Sequence, residues 1–341
     1  MKKLLSLALS LMLLATCITG CGKKEDSTPA DTATQDAAAS ASAAADWPKK
    51  DIRVLVGFKA GGTSDLGTRL LFEAAKKELG VNIIVDNVTG AGGWNAWSEL
   101  KKAKPDGYTL ALVTDPTIYG GYLDPSNNRK DSIHDFTPIV NHVSDDACIA
   151  VNPGDDRFGT FADLIAYAKE HDVTATTTGV GSQVHLMMLR LNDELGTRFV
   201  PVHTTGTAEG KTMILGKNVD CFFACVGDIA PSVNSGELKC LAVSSEERSE
   251  FMPDVPTMVE QGFPLVYAYS ARGIIGPGGM DPAVVEKLAG ILKNAMESSE
   301  HKEAMDQMSL RINYIGTEEY TKMLNDDEEL MRSYSDLFGW N

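Results

Sequence analysis

Apolar positions along this chain switch between two periods. Short β-rich runs over 52–56, 81–85, 108–114, 147–151, 173–178, 199–202, 219–223, 238–243 and 272–275 predict strands. Between them, 64–79, 161–170, 182–195, 208–215, 282–298 and 318–337 predict helices; Leu66, Leu70 and Ala74 share one face of the first. A Gly-rich turn over 89–93 opens a further helix to Lys102, and Pro105-Asp106-Gly107 turns the chain into the third strand. Such alternation predicts an α/β fold with mainly parallel sheets and flanking crossover helices. The helix over 318–337 is rich in Asp and Glu on one side and reads as a solvated face.

The first 46 residues stand outside this pattern. Lys2 and Lys3 precede an apolar run over 4–15, which is too short to cross a bilayer and reads as a secretory signal over 1–20. Ile18-Thr19-Gly20-Cys21 resembles a bacterial lipobox, with Cys21 as the lipidated residue. An ordinary signal peptide with an incidental Cys21 is the plainer alternative. Residues 21–46 then form a lipidated Cys and a flexible tether of Ala, Ser, Thr and Asp. The folded unit is expected from Trp47.

Composition narrows the function. Asp and Glu number 47 against 31 Lys and Arg in 341 residues, a formal charge of −16. That balance argues against nucleic acid, whose phosphates need clustered cations, and against docking on anionic lipid through a basic face. Hydrophobic residues at 43 % suffice for a sizeable core. Cys17 leaves with the signal. Cys221 and Cys225 share one strand about 13 Å apart, too far for a disulfide. With Cys148 and Cys240 they read mainly as small buried thiols, and a bridge from Cys148 or Cys240 stays open. No spacing of Cys or His builds a metal site, so no metal and no cofactor are expected.

Two loops could hold chemistry. Gly57-Phe58-Lys59-Ala60-Gly61-Gly62-Thr63-Ser64-Asp65 leaves a strand and opens a helix. Thr176 to His185 does the same through Thr178, Gly179, Gly181 and Ser182. Glycines let amides turn inward, and a helix start carries positive partial charge, so both suit an anion. Plain capped turns are the alternative. His185 lies one turn into its helix, as a packing residue or a ligand contact. Gly206-Thr207-Ala208-Glu209-Gly210-Lys211-Thr212 is one residue short of a P-loop. Asn95 and Val184 stand where a GxGxxG needs its third glycine, and no GxSxG elbow occurs.

Several stretches together resemble one family. They are Trp47-Pro48, Gly61-Gly62-Thr63-Ser64-Asp65, Gly90-Ala91-Gly92-Gly93 and Lys104-Pro105-Asp106-Gly107-Tyr108. Asp135-Phe136-Thr137-Pro138, Val151-Asn152-Pro153, Gly179-Val180-Gly181-Ser182, Asp254-Val255-Pro256-Thr257 and Arg272-Gly273 follow in order. The chain from Trp47 is similar to the Bug-type substrate-binding receptors of tripartite tricarboxylate transporters. The resemblance implies a two-lobed clamshell of the periplasmic-binding-protein type II kind. Lobe 1 would be 47–146 plus 267–341, and lobe 2 would be 147–266. It implies a small organic carboxylate held between the lobes, largely by backbone amides. The candidate contacts are Phe58, Lys59, Ala60, Gly61, Gly62, Thr63, Ser64, Asp65, Thr114, Thr178, Gly179, Gly181, Ser182, His185, Thr205, Cys225 and Arg272.

The implied protein is an extracytoplasmic monomer, anchored through Cys21 to the outer face of the cytoplasmic membrane. It would serve large and small membrane subunits. A sensory co-receptor for a membrane kinase and an extracellular enzyme of similar fold are the alternatives; no catalytic constellation favours the enzyme. The chain departs from the family at Gly57, commonly proline, and at Lys59, commonly small or apolar. Lys59 either adds a cation beside the pocket or points to solvent. Ala224, Cys225, Val202 and His203 also differ from the usual residues, which leaves the substrate open.

Overall fold

The computed structural model describes residues 46–340 except Thr205 and Tyr267. The signal, Cys21 and the tether up to residue 45 lie outside the described residues, as does Thr205.

In chain order the elements begin β1 (Ile52–Val56), α1 (Thr63–Leu79), β2 (Ile83–Asn87), α2 (Trp94–Leu100), β3 (Thr109–Asp115), α3 (Thr117–Leu123) and β4 (Phe136–Val151). Then come α4 (Phe161–Glu170), β5 (Val173–Thr177), α5 (Gln183–Leu195), β6 (Phe199–His203), α6 (Thr207–Leu215), β7 (Cys221–Cys225), α7 (Val226–Asn234) and β8 (Lys239–Val243). The last are β9 (Tyr269–Pro277), α8 (Pro282–Glu297), α9 (Ser299–Gln307), β10 (Ile312–Ile315), α10 (Thr317–Ser333) and α11 (Ser335–Phe338).

Local chemistry sets the ends of these helices. α4 opens on a capping box in which Thr160 Oγ1 accepts from Asp163 N–H at 3.2 Å and Asp163 Oδ2 accepts from Thr160 N–H at 2.8 Å. Asp281 caps α8, with Pro282 at the first helical position. α1 closes on Gly80, whose φ of 69° suits a residue without Cβ.

The strands run in the order β2-β1-β3-β9-β4-β7-β5-β6, with β8 and β10 also paired to β4. The α/β alternation stands, but the pairing is mixed. β1–β2, β1–β3, β5–β6 and β5–β7 are parallel, whereas β4 and β9 run antiparallel to their neighbours. The reason is β4, which is longer than the strand expected over 147–151. Phe136 to Asp146 pair with β9 as far as Tyr269, while Ala147 to Ala150 pair with β7. One strand thereby crosses from a first sheet into a second.

Each sheet is covered on both faces. Leu71 and Phe72 of α1 and Leu288 and Leu292 of α8 pack with Val54, Leu110 and Ile274 on one face of the first. Trp94, Trp97, Tyr119 and Tyr320 fill the other. In the second sheet, Phe161, Leu164, Met187 and Leu191 pack with Phe223, and Ile214 and Ile229 pack with Phe222. Burying a side chain of this size contributes about 1.5–3 kcal/mol. Cys148, Cys221, Cys225 and Cys240 are buried and free, which settles the open disulfide. The acidic helix is two helices, α10 and α11. Glu328 is not on its solvated side: it is 5 % exposed and accepts from Arg332 at 2.7 Å.

Candidate functional site

The first glycine loop is pinned from behind by a buried carboxylate. Asp65 accepts from Gly61 N–H at 2.9 Å, from Arg69 Nε at 2.9 Å and from Asn87 Nδ2 at 2.8 Å. Asn87 Nδ2 also reaches the Phe58 carbonyl at 3.0 Å. Burial pushes the Asp65 carboxyl up, but Arg69, Gly61 and Asn87 outweigh it and hold the group below its ordinary range. Asp65 is therefore committed to shaping the loop, and so is the Gly61 amide. Lys59, Ala60 and Gly62 are exposed. Gly57 is required by packing: a Cβ there would lie 2.6 Å from Gly93 Cα. No side chain caps α1, so its opening amides at Thr63 and Ser64 keep their donor capacity.

The second loop is held in a different way. Ser182 Oγ accepts from His185 N–H at 3.3 Å and donates to the Gly179 carbonyl at 2.8 Å. Gly181 N–H donates to His185 Nδ1 at 3.3 Å, which requires the proton on Nε2. The imidazole stands edge-on to His203 with centroids 4.6 Å apart, and His203 Nδ1 meets Thr177 Oγ1 at 2.7 Å. Burial, then the His203 charge, push the His185 pKa down to about 4. His185 is thus a neutral residue that shapes the loop from inside. Thr178 and Gly179 are half-buried beside it.

A third strand-to-helix junction completes the arrangement. β7 runs directly into α7, with Cys225 at the N-cap position. Asp228, in the first turn of α7, accepts from Thr63 Oγ1 at 3.2 Å and from Thr207 Oγ1 at 3.0 Å. Thr63 opens α1 and Thr207 opens α6, so the starts of three helices meet at one carboxylate. Cys225 Sγ accepts from Gln183 Nε2 at 3.0 Å, which ties the second loop to the same junction. Behind it, Asp145 of β4 accepts from Gly227 N–H at 2.9 Å and from Arg272 Nη2 of β9 at 3.1 Å. Burial pushes the Asp145 carboxyl up to about 7, opposed by Arg272 and aided by the Asp228 charge. Arg272 sits opposite Thr114 across the β3–β9 pair. The Thr114 hydroxyl and Arg272 Nη1 are buried without a protein hydrogen-bond partner.

The sequence pattern of the TctC family, described as the tripartite tricarboxylate transporter family receptor, matches residues 68–334. The chain belongs to this family. A relative from Cupriavidus necator, the UPF0065 protein in gbd 5'region, is 34 % identical over 292 residues, which is 84 % of this chain and 87 % of the relative. A TctC solute binding protein from Polaromonas superposes with a TM-score of 0.71 at 26 % identity, covering 85 % of this chain and 99 % of that one. The periplasmic binding protein BugD superposes at 0.74 and 26 % identity, over 86 % and 99 %. The fold is the two-lobed α/β fold of periplasmic binding proteins, and the family is one of extracytoplasmic solute-binding receptors.

Six candidate residues of this receptor fall into three groups. Thr63 reaches the Asp228 junction directly. Cys225 and Arg272 adjoin it, with Thr114 beside Arg272. Asp65 and His185 act behind their loops. The strand and helix patterns pointed to neither Asp145, Gln183, Thr207 nor Asp228. The available signal was Cys225-Val226-Gly227-Asp228, a third strand running into a glycine and a helix start. An open groove of about 820 Å³ adjoins the junction and shares Asp145 and Val226 with it. Among the described residues no group of three His, Cys, Asp or Glu side chains is placed to hold a metal.

Proposed function

We propose that this receptor captures a small organic carboxylate between two lobes, 47–146 plus 267–341 and 147–266, and delivers it to the large and small membrane subunits of its transporter. Cys21 anchors it by lipid to the outer face of the cytoplasmic membrane. The observation that carries the reading is the Asp228 carboxylate, which takes hydroxyl donors from the starts of α1 and α6 while lying in the first turn of α7. A place that holds one carboxylate suits another. A ligand carboxylate competes with Asp228 for Thr63 and the open amides of α1, with a second contact from the start of α5.

The magnitudes are sufficient. A helix start favours an anion by about 0.3–1 kcal/mol, and by up to about 2 when partly buried. Hydrogen bonds to a charged acceptor contribute about 1.5–3 kcal/mol each. Three or four such bonds reach micromolar affinity, about −8 kcal/mol, after the costs of association. Local donors at contact distance outweigh a screened acidic surface, so a chain of charge −16 can still bind an acid.

A thermal-shift screen against acetate, succinate, malate, citrate, glutamate and benzoate tests the reading. A binder at 100 times its Kd adds about 2.7 kcal/mol of stability. A screen in which no acid raises the melting temperature counts against it. Mass spectrometry of the cell-derived protein tests the anchor: a diacylglyceryl-modified Cys21 at the amino terminus supports it, and an unmodified Cys21 in a product cut elsewhere refutes it.

A further inference from the structure

The second glycine loop also meets the first sheet's elements, at a contact made of backbone and aromatic rings. Gly181 of this loop lies against Gly120 of α3. A Cβ built on Gly181 would stand 3.1 Å from Gly120 Cα, and one on Gly120 would stand 3.3 Å from Gly181 Cα. Gly120 is not among the residues of positive φ, so its missing side chain serves the close approach alone. The Trp340 ring closes the triangle at 3.4 Å from the Gly181 position and 3.6 Å from the Gly120 position.

The route that brings Trp340 there is local. α11 ends at Gly339, whose φ of 72° turns the chain back on itself. The Trp340 ring then stacks on Phe338, with centroids 4.2 Å apart and planes 13° from parallel. Phe338 in turn stands edge-on to His185 at 5.2 Å. Trp340 is 8 % exposed. The segment Ser335–Trp340 follows α10, which packs against β4 and α3. The loop it covers belongs to β5 and α5. The two rings therefore bind together parts of the chain that the sheets hold separately.

We propose that Trp340, stacked on Phe338, is a positioning residue for the binding loop over 179–185: it clamps that loop onto Gly120 and fixes its place in the site. This role rests on the carboxylate reading for its purpose, but not for its test. It predicts that the clamp acts on the loop without touching the ligand. Aromatic pairs of this geometry add to stability beyond the area they bury, and the loop's bonds through Ser182 and His185 run within the loop itself. Losing the indole frees the loop and takes one ring from the aromatic cluster on the first sheet, whose Trp94, Trp97, Tyr119 and Tyr320 remain.

Hydrogen exchange by mass spectrometry on the whole protein tests the clamp without a ligand. Trp340→Ala should raise exchange at 179–185 by tenfold or more, leaving β3 and β9 protected as in wild type. Trp340→Phe, which restores a ring, should recover most of the protection. Gly120→Val, which keeps the indole, should open the same loop by wedging Gly181 away from the other side. Where succinate or citrate binds the wild type, Trp340→Ala should raise its dissociation rate about tenfold. Loop exchange unchanged in both Trp340→Ala and Gly120→Val overturns the proposal. Because the exchange needs no acid, a receptor that binds none of the panel refutes the carboxylate reading and leaves the clamp to stand or fall alone.

Discussion

Thr63 donates its hydroxyl to Asp228 at 3.2 Å, across 165 residues of sequence. One residue opens the helix after β1 and the other sits in the helix after β7. The bond joins elements of the two sheets at the point where helix starts converge, and it defines where an anion competes with the protein's own carboxylate.

Asp228→Asn follows directly. The amide oxygen still accepts from Thr63 or Thr207, while the like charge facing a ligand acid is gone. Carboxylate affinity should rise severalfold in calorimetry at low salt, and the gain should shrink at high salt. Weaker binding would mean that Asp228 assists the ligand instead of competing with it.

The two loop glycines should differ in cost. Gly61 has a φ of 84° and open space around the Cβ position, so Gly61→Val strains only the backbone. Gly181 has a φ of 74° and is also crowded by Gly120 and Trp340. A non-glycine residue at such a φ costs about 1–3 kcal/mol. Gly181→Val should therefore lower the chemical-denaturation midpoint more than Gly61→Val, and both should weaken carboxylate binding. Lys59→Ala, at an exposed position, should leave stability unchanged within about 0.5 kcal/mol.

Asp65→Ala removes the acceptor of three hydrogen bonds and leaves Arg69 without its buried partner. It should destabilise the protein by roughly 2–4 kcal/mol, read by urea denaturation. Its folded pKa is depressed, so Asp65 contributes stability above the usual carboxylate pKa that is lost as pH falls through the folded value. Acid titration of the wild type should show that loss and the variant should lack it.

His185 has the opposite chemistry and gives a separate pH signature. Its folded pKa is lowered to about 4, so the unfolded chain takes up a proton near 6.5 while the folded chain does not. Stability should fall as pH drops from about 6.5 to about 4, at up to about 1.4 kcal/mol per pH unit, and level off below. His185→Asn keeps an acceptor for Gly181 N–H and cannot titrate. The difference in melting temperature between the two proteins should widen in favour of the variant across that window. A constant difference would mean that His185 titrates alike in the folded and the unfolded chain.

Much of this was readable in the sequence, for physical reasons. Apolar pattern alone located α1, α4, α5 and α8, each of which buries one repeating face, and β1 and β5, which are buried on both faces and read as short runs. The first half of β4 was not readable. Asn141, His142, Ser144, Asp145 and Asp146 fall outside every element expected from the sequence, yet each is under 9 % exposed. Their partners are distant in sequence: Asn141 Nδ2 donates to the Asn313 carbonyl at 2.8 Å, His142 meets His301 at 2.9 Å, and Asp145 pairs with Arg272. Such pairings leave no periodic trace. The glycine loops were legible as strand-to-helix junctions. Which donors they keep was not, because Asp65 and His185 consume the amides of Gly61 and Gly181 from within.

The central claim is that acids bind where the helix starts meet. Isothermal titration of the strongest binder among succinate, malate and citrate into wild type and Thr63→Val tests it most directly. The account predicts a micromolar Kd for wild type and a loss of tenfold or more for Thr63→Val, about 1.4 kcal/mol or more, with the fold intact by circular dichroism. Equal affinity in the two proteins, or no binding of any of the three acids to wild type, would contradict it.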